Sequence, residues 1–112
     1  MSVSELTTKH CKPCEGGVDP LSVDEANELL NQLKSWELSE DGSQIARSFR
    51  FRNFHEVMEF VNALAWVAHR EDHHPDLEVG YSRVGVTYTT HAIGGLSEND
   101  FICAARIDEL LN

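Results

Sequence analysis

The feature that most constrains this chain is a pattern that occurs twice: two strand-like runs followed by one helix-like run. In the first occurrence, alternating apolar residues flank the turn signal Asp41-Gly42, which predicts a β-hairpin. In the second, two alternating runs lie close together: Leu77, Val79 and Tyr81, then Val84, Val86 and Tyr88. Apolar residues at helical spacing follow each pair of runs. The repeated pattern predicts four short antiparallel strands that share one sheet.

Three helices are predicted around these strands. The first begins at Ser22, with Glu25 three residues later in a capping box. The second begins at Asn53 and does not pass Pro75, because proline lacks the N–H that a helix needs. The third begins at Ser97. The predicted order is α-β-β-α-β-β-α, an α+β fold in which three helices cover one face of a four-stranded antiparallel sheet.

The length of 112 residues fits one domain. Residues 1–19 are polar and show no periodicity, so we expect a flexible N-terminal arm followed by a domain over residues 20–112. A sheet covered on one face leaves the other face open, and its two edge strands can pair with another chain. The pattern therefore favours a homodimer or a homotetramer.

The charge balance bears on partners and compartment. Nine Lys and Arg residues face 19 Asp and Glu residues, for a formal net charge of -10 at pH 7. This charge repels phosphate backbones and anionic lipid, so we expect no nucleic-acid partner and no membrane partner. The chain has no apolar run near the roughly 20 residues that span a bilayer, and its first residues lack a signal-peptide core. We expect a cytoplasmic protein.

The three cysteines do not form a disulfide framework, because their number is odd. Cys103 stands alone in an apolar helical stretch, whereas Cys11 and Cys14 form one C-x-x-C after His10. A redox motif would open a helix after a strand, and a zinc ribbon would need a second pair. The pattern therefore favours an incidental or weakly metal-binding segment over a working site. One alternative stays open: two such segments, from different subunits, together complete a tetrahedral metal site.

The densest polar cluster is HREDHHPDLE, residues 69–78. His73 and His74 lie where the second helix ends, and Pro75 keeps His74 out of the helical conformation. His91 lies at the far end of the returning strand, next to the start of its antiparallel partner. Histidine exchanges protons near neutral pH, so the three side chains together predict a site at one rim of the sheet. The alternative is a structural role, in which His73 and His74 are favourable cations near a helix C-terminus and His91 lies at a solvated strand end.

A metal site is a competing interpretation. His69 and His73 have the i, i+4 spacing of zinc ligands, and His91 or Asp72 would supply a third ligand. The H-E-x-x-H pattern is absent, however, and Arg70 would oppose a bound cation. We therefore expect no metal.

Asp100 follows Ser97 by three residues, which places it at the third position of the third helix. A carboxylate there accepts backbone N–H bonds and faces the positive end of the helix dipole. That capping role is the default, and a further role near His91 is compatible with the spacing.

Several of these residues together resemble a known family. The motif Asp72-His73-His74-Pro75 is followed by Thr90-His91 and then by Gly95-Leu96-Ser97 with Asp100. In this order and separation they resemble the pterin-4a-carbinolamine dehydratase family over residues 20–112. Animal members of that family also serve as dimerisation cofactors of a homeodomain transcription factor, so a non-catalytic cofactor module is the alternative function.

The resemblance implies a hydro-lyase that removes water from 4a-hydroxytetrahydropterin to give quinonoid dihydropterin, without metal or cofactor. It implies an active site with His73, His74 and His91, in which His73 and His91 exchange protons and His74 orients the substrate. Asp72, Pro75 and Asp100 are expected as binding or orienting residues, with Asp100 next to His91. The expected context is recycling of the tetrahydropterin used by phenylalanine hydroxylase.

Overall fold

The computed structural model describes residues 6–9, 11 and 19–111. From residue 19 onward, helices and strands follow one another in the predicted order. They are α1 (Val23–Leu30), β1 (Glu37–Leu38), β2 (Ile45–Arg50), α2 (Phe54–Glu71), β3 (Asp76–Val79), β4 (Arg83–Tyr88) and α3 (Glu98–Glu109). A 3-10 helix, His91–Ile93, joins β4 to α3. The predicted α+β class and element order are confirmed.

The four strands form one antiparallel sheet in the order β1-β2-β4-β3. The two central strands are β2 and β4, in which Ile45 lies opposite Tyr88 and Phe49 lies opposite Val84. Because side chains alternate along a strand, these four residues share one face, and all four are buried. The helices cover this face.

Aromatic rings fill the layer between sheet and helices. The Trp36 ring lies 6.1 Å from that of Phe49 and 6.4 Å from that of Tyr88, measured between centroids. Phe49 in turn lies 4.7 Å from Phe60 of α2. Trp36 is only 5% exposed and belongs to the core.

The predicted helix starts are confirmed. In α1, the Ser22 N–H donates to Glu25 Oε1 at 2.9 Å, and the Glu25 N–H donates to Ser22 Oγ at 3.2 Å. In α2, the Glu56 N–H donates to Asn53 Oδ1 at 3.0 Å. These bonds satisfy N–H groups that have no partner inside the helix. No helix in the described ranges is long and apolar enough to span a bilayer.

A partly buried ion pair joins the sheet to α3. Arg47 points from β2 towards the helices, and its Nη1 donates to Asp108 Oδ1 of α3 at 2.7 Å. The Trp36 Nε1 donates to both oxygens of the same carboxylate at 3.0 Å. Burial raises the pKa of Asp108, and the Trp36 hydrogen bond and the Arg47 charge oppose that rise. The two donors therefore make the charged form of Asp108 tolerable inside the protein.

Replacing Arg47 with glutamine is expected to lower the free energy of unfolding by about 1–3 kcal/mol at pH 7. Burial raises the folded-state pKa of Asp108, so ionising this carboxyl as pH rises lowers the free energy of unfolding. The Arg47 charge offsets this loss. Near pH 3, below the ordinary aspartate pKa of about 3.9, the loss shrinks. Urea unfolding at the two pH values measures it, with Arg50→Gln, at an exposed position of the same strand, as the control. An equal loss at both pH values would contradict the assignment.

Candidate active site

A left-handed residue ends α2. Asp72 has φ 50° and ψ 43°, its N–H donates to the His69 carbonyl at 3.3 Å, and the His73 N–H donates to the Ala68 carbonyl at 3.1 Å. This pair of bonds is a Schellman motif, which satisfies the last carbonyls of a helix and reverses the chain. The helix therefore stops before Pro75, and both His73 and His74 lie in the connection to β3.

The side chain of His73 contacts a buried carboxylate. Its Nε2 lies 2.6 Å from Asp100 Oδ1, the two side chains being 13% and 0% exposed. A carboxylate accepts and does not donate, so we assign the shared proton to Nε2. His91 is the residue expected next to Asp100, whereas the ring that Asp100 holds is that of His73. Two residues 27 positions apart in the chain are thus joined.

The second oxygen of Asp100 binds the segment that carries His91. The Thr90 Oγ1 donates to Asp100 Oδ2 at 2.8 Å, and the Ser97 N–H donates to the same oxygen at 2.9 Å. The two hydroxyls, Thr90 Oγ1 and Ser97 Oγ, also lie 2.8 Å apart. Asp100 therefore caps α3, as predicted, and at the same time joins His73 to the residue before His91.

Tyr88 of β4 fixes the face of the His73 ring. The two rings are stacked, with centroids 5.4 Å apart and an angle of 9° between their planes. Tyr88 is fully buried, so its ring is a rigid support. With Asp100 on one ring nitrogen and Tyr88 against one face, the imidazole of His73 is held in a single orientation and Nδ1 is the nitrogen left for proton exchange.

The structure corrects the placement of His91. The strand β4 ends at Tyr88, and His91 is the first residue of the 3-10 helix, not the end of the strand. The chain turns here because Thr90 forms an isolated antiparallel bridge with Gly95. A side chain on Gly95 would meet Pro20, whose Cβ lies 2.7 Å from the position of an added Cβ. This close packing fixes the loop, and His91 on it is exposed.

The remaining predicted site residues are next to His73 in the chain. His74 is exposed, and its Nδ1 lies 3.4 Å from the Pro75 carbonyl oxygen. Pro75 is buried and Asp72 is exposed at the helix end. His73, Asp100 and the Thr90-His91 segment are thus brought together by direct hydrogen bonds, while His74 is adjacent to His73 in the chain.

The residues of the zinc alternative do not form a metal-binding cluster in the part of the chain that the structure describes. Across residues 6–9, 11 and 19–111, no group of three or more His, Cys, Asp and Glu side chains is arranged to hold a metal ion. The Nε2 of His73 is hydrogen-bonded to the Asp100 carboxylate. His10 and Cys14 of the N-terminal motif lie outside the described residues.

Sequence reasoning did not assign a site role to Thr90, Ser97 or Tyr88. Ser97 was predicted as the start of the third helix, and Tyr88 was predicted only as a residue of the last strand. The available signal was the position of Thr90 directly before His91. A hydroxyl beside a histidine can donate to a carboxylate, and that carboxylate can orient another side chain. That signal does not say which carboxylate is near.

Comparisons with known proteins identify the family of this chain. The model of the family "Pterin 4 alpha carbinolamine dehydratase" matches residues 19–110. A relative from Nitrosomonas europaea that carries the provisional name pterin-4-alpha-carbinolamine dehydratase is 59% identical over 110 residues, which are 97% of this chain and 96% of the relative.

Two solved structures share the fold. A protein from Brucella melitensis, described as a transcriptional coactivator/pterin dehydratase, has a TM-score of 0.79 and 33% identity, over 84% of this chain and all of that one. A pterin dehydratase-like protein described as a RuBisCO assembly factor in the alpha-carboxysome has a TM-score of 0.59 and 25% identity, over 68% of this chain and 88% of that one. This chain belongs to the pterin-4-alpha-carbinolamine dehydratase family.

Proposed function

We propose that this protein removes water from 4a-hydroxytetrahydropterin to give quinonoid dihydropterin by histidine acid–base catalysis. Membership of the family makes the chain a dehydratase of the hydro-lyase class. The observation that carries the histidine mechanism is the contact of His73 with Asp100, whose other oxygen binds Thr90 beside His91. One carboxylate thus orients one imidazole and anchors the segment that carries another.

The reaction needs two proton transfers. The bond between C4a and the hydroxyl oxygen breaks, and this oxygen takes up a proton and leaves as water. The proton on N5 is removed, and the electron pair left on N5 forms the double bond to C4a. One imidazole that gives a proton and one that takes a proton are suited to these steps near neutral pH.

We assign the two transfers to His73 and His91, and substrate orientation to His74, Asp72 and Pro75. Asp100 acts through His73, since it is fully buried and holds Nε2. Its role is therefore to position a catalytic residue. The fixed ring of His73 lowers the cost of orienting the imidazole during the reaction. No cofactor is proposed, because an elimination of water transfers protons without net oxidation or reduction.

The purified protein is expected to accelerate formation of quinonoid dihydropterin from freshly generated 4a-hydroxytetrahydropterin, measured by absorbance against the spontaneous reaction. Dialysis against a chelator should leave the rate unchanged, because the proposed proton transfers use imidazoles alone. A rate equal to the spontaneous one would contradict the dehydratase assignment. A loss on chelation that zinc restores would contradict the mechanism and favour the metal alternative.

We further propose that the protein acts in the cytoplasm, in the recycling of the tetrahydropterin that phenylalanine hydroxylase consumes. This context rests on the resemblance of the motif residues to the family. The net charge of -10 is compatible with it, since a small neutral substrate needs no basic surface for capture.

We also propose a homodimer or homotetramer. The sheet face opposite the helices presents small and polar side chains, among them Ala46, Ser48 and Thr87. The outer strands β1 and β3 each pair on one side only among the described residues. Such edges form hydrogen bonds with a second copy readily, and light scattering on the purified protein gives the mass of the assembly.

A non-catalytic dimerisation or transcriptional cofactor module is the second candidate. It is favoured by one observation, the coactivator description of the Brucella melitensis protein. The two candidates differ in what a histidine substitution does. Replacing His73 would end catalysis but leave a surface for a partner protein intact. An inactive His73 variant that still forms the complex would show that the cofactor role does not depend on catalysis.

A further inference from the structure

Part of the N-terminal segment lies against α3. Leu6 is fully buried in the core. The Arg106 Nε of α3 donates to the Lys9 carbonyl at 3.2 Å, and the Lys9 Nζ lies 3.1 Å from Glu98 Oε1. The described residues before position 12 are therefore attached to both ends of one helix.

A pair of thiols joins the same two elements. Cys11 Sγ lies 3.4 Å from Cys103 Sγ, and Cys11 Sγ also lies 3.7 Å from the Asn99 carbonyl oxygen. Both cysteines are free thiols. The Cys11 N–H donates to Glu71 Oε1 at 2.8 Å, which holds the backbone of Cys11 in place. The two sulfur atoms are thus already in contact, and no rearrangement of α3 is needed to bring them together.

The environments of the two sulfurs differ. Cys103 is fully buried, whereas Cys11 is half-buried and reachable from solvent. The Cys103 thiol and burial both raise the pKa of the Cys11 thiol, so the thiolate is scarce at neutral pH. Oxidation of this pair is therefore slow compared with that of an exposed low-pKa cysteine, and it begins at Cys11.

The pair lies behind the candidate active site. Cys103 follows Asp100 by one turn of α3. The Tyr88 hydroxyl is buried against Cys103, and the Tyr88 ring supports His73. A covalent bond at Cys103 would therefore join the N-terminal segment to the helix that carries Asp100.

We propose that Cys11 and Cys103 are a redox-active pair that closes to an intramolecular disulfide on oxidation by hydrogen peroxide. The Cys11 thiolate attacks one peroxide oxygen, the O–O bond breaks, and Cys11 becomes a sulfenic acid while water leaves after protonation. The Cys103 sulfur then attacks the Cys11 sulfur, loses its proton, and displaces the sulfenic oxygen as a second water. Two thiols are oxidised by two electrons, and one peroxide is reduced to two waters.

The chain offers a matched control in Cys14, which follows Cys11 by three residues. We expect hydrogen peroxide to lower the intact mass of both the wild type and Cys14→Ser by two hydrogen atoms. Peptide mapping without reductant should then recover a Cys11–Cys103 linkage in both proteins. Cys11→Ser should yield no intramolecular disulfide. A Cys11–Cys14 linkage, a disulfide between two chains, or peroxide-treated Cys14→Ser whose two thiols remain free would each overturn the proposal.

A thermal measurement gives an independent readout. The disulfide would close a loop of most of the chain and so restrict the unfolded state. Oxidised Cys14→Ser is expected to melt roughly 5–15 °C above its reduced form, and dithiothreitol should reverse the shift. An unchanged or lower Tm in the oxidised sample would overturn the proposal. Neither measurement depends on the dehydratase activity.

Discussion

Replacing His73 with alanine is expected to lower kcat/KM for dehydration of 4a-hydroxytetrahydropterin by a factor of about 10²–10⁴, the contribution of one general acid or base. The loss should fall mainly on kcat, because the imidazole exchanges a proton in the transition state. The ring is held by Asp100 at 2.6 Å and by the stacked Tyr88. In the alanine variant no imidazole occupies this position, so the proposed proton transfer would have to use water.

The chain contains a matched control for this substitution. His55, near the start of α2, is exposed, and His55→Ala should keep the wild-type rate. His91→Ala should lose activity to a similar extent as His73→Ala, since the two transfers are coupled in one reaction. Steady-state kinetics at several substrate concentrations separates kcat from KM. Wild-type kcat/KM in His73→Ala would refute its catalytic role.

Replacing Asp100 with asparagine is expected to lower the free energy of unfolding by about 1.5–3 kcal/mol, the range for a hydrogen bond to a charged group. The carboxylate accepts from His73, Thr90 and the Ser97 N–H, and it is completely buried. An amide of the same shape has one acceptor oxygen, so its NH2 group must face one of these donors. The buried donor that faces it loses its partner.

The same substitution should also slow the reaction. Without Asp100 to hold Nε2, the His73 ring is free to adopt other orientations, and a displacement of about 1 Å can cost about 10²-fold in rate. The assay should run well below the Tm of the variant, so that all molecules are folded. Glu98→Gln, an exposed acid in the same first turn of α3, should change stability by less than about 1 kcal/mol. An Asp100→Asn protein with wild-type kcat would contradict the positioning role.

The sequence was sufficient for the local parts of the fold. Ser22 with Glu25 and Ser97 with Asp100 are spaced so that backbone geometry alone makes them caps. The alternation around Asp41-Gly42 likewise predicts a hairpin, because only a strand places every second residue on the same face. These features depend on residues a few positions apart.

The site depended on contacts that local patterns do not encode. Asp100 was predicted as a cap next to His91, but its partner is His73, which approaches through the reversal at Asp72. His91 was predicted in a strand and lies in a 3-10 helix, because Thr90 pairs with Gly95 across the loop. The contact of Cys11 with Cys103 had no signal either, since the segment before residue 20 shows no periodicity.

The sheet order β1-β2-β4-β3 has a consequence for how the protein gains and loses activity. Its two central strands pair residues about forty positions apart, such as Ile45 and Tyr88, so the sheet forms only after a long loop closes. Tyr88 at the end of this pairing is the support of His73. A partly folded intermediate that retained only the hairpins would therefore lack an oriented imidazole. Enzymatic competence should appear and vanish in one cooperative step with the tertiary structure, with no active fragment on the way.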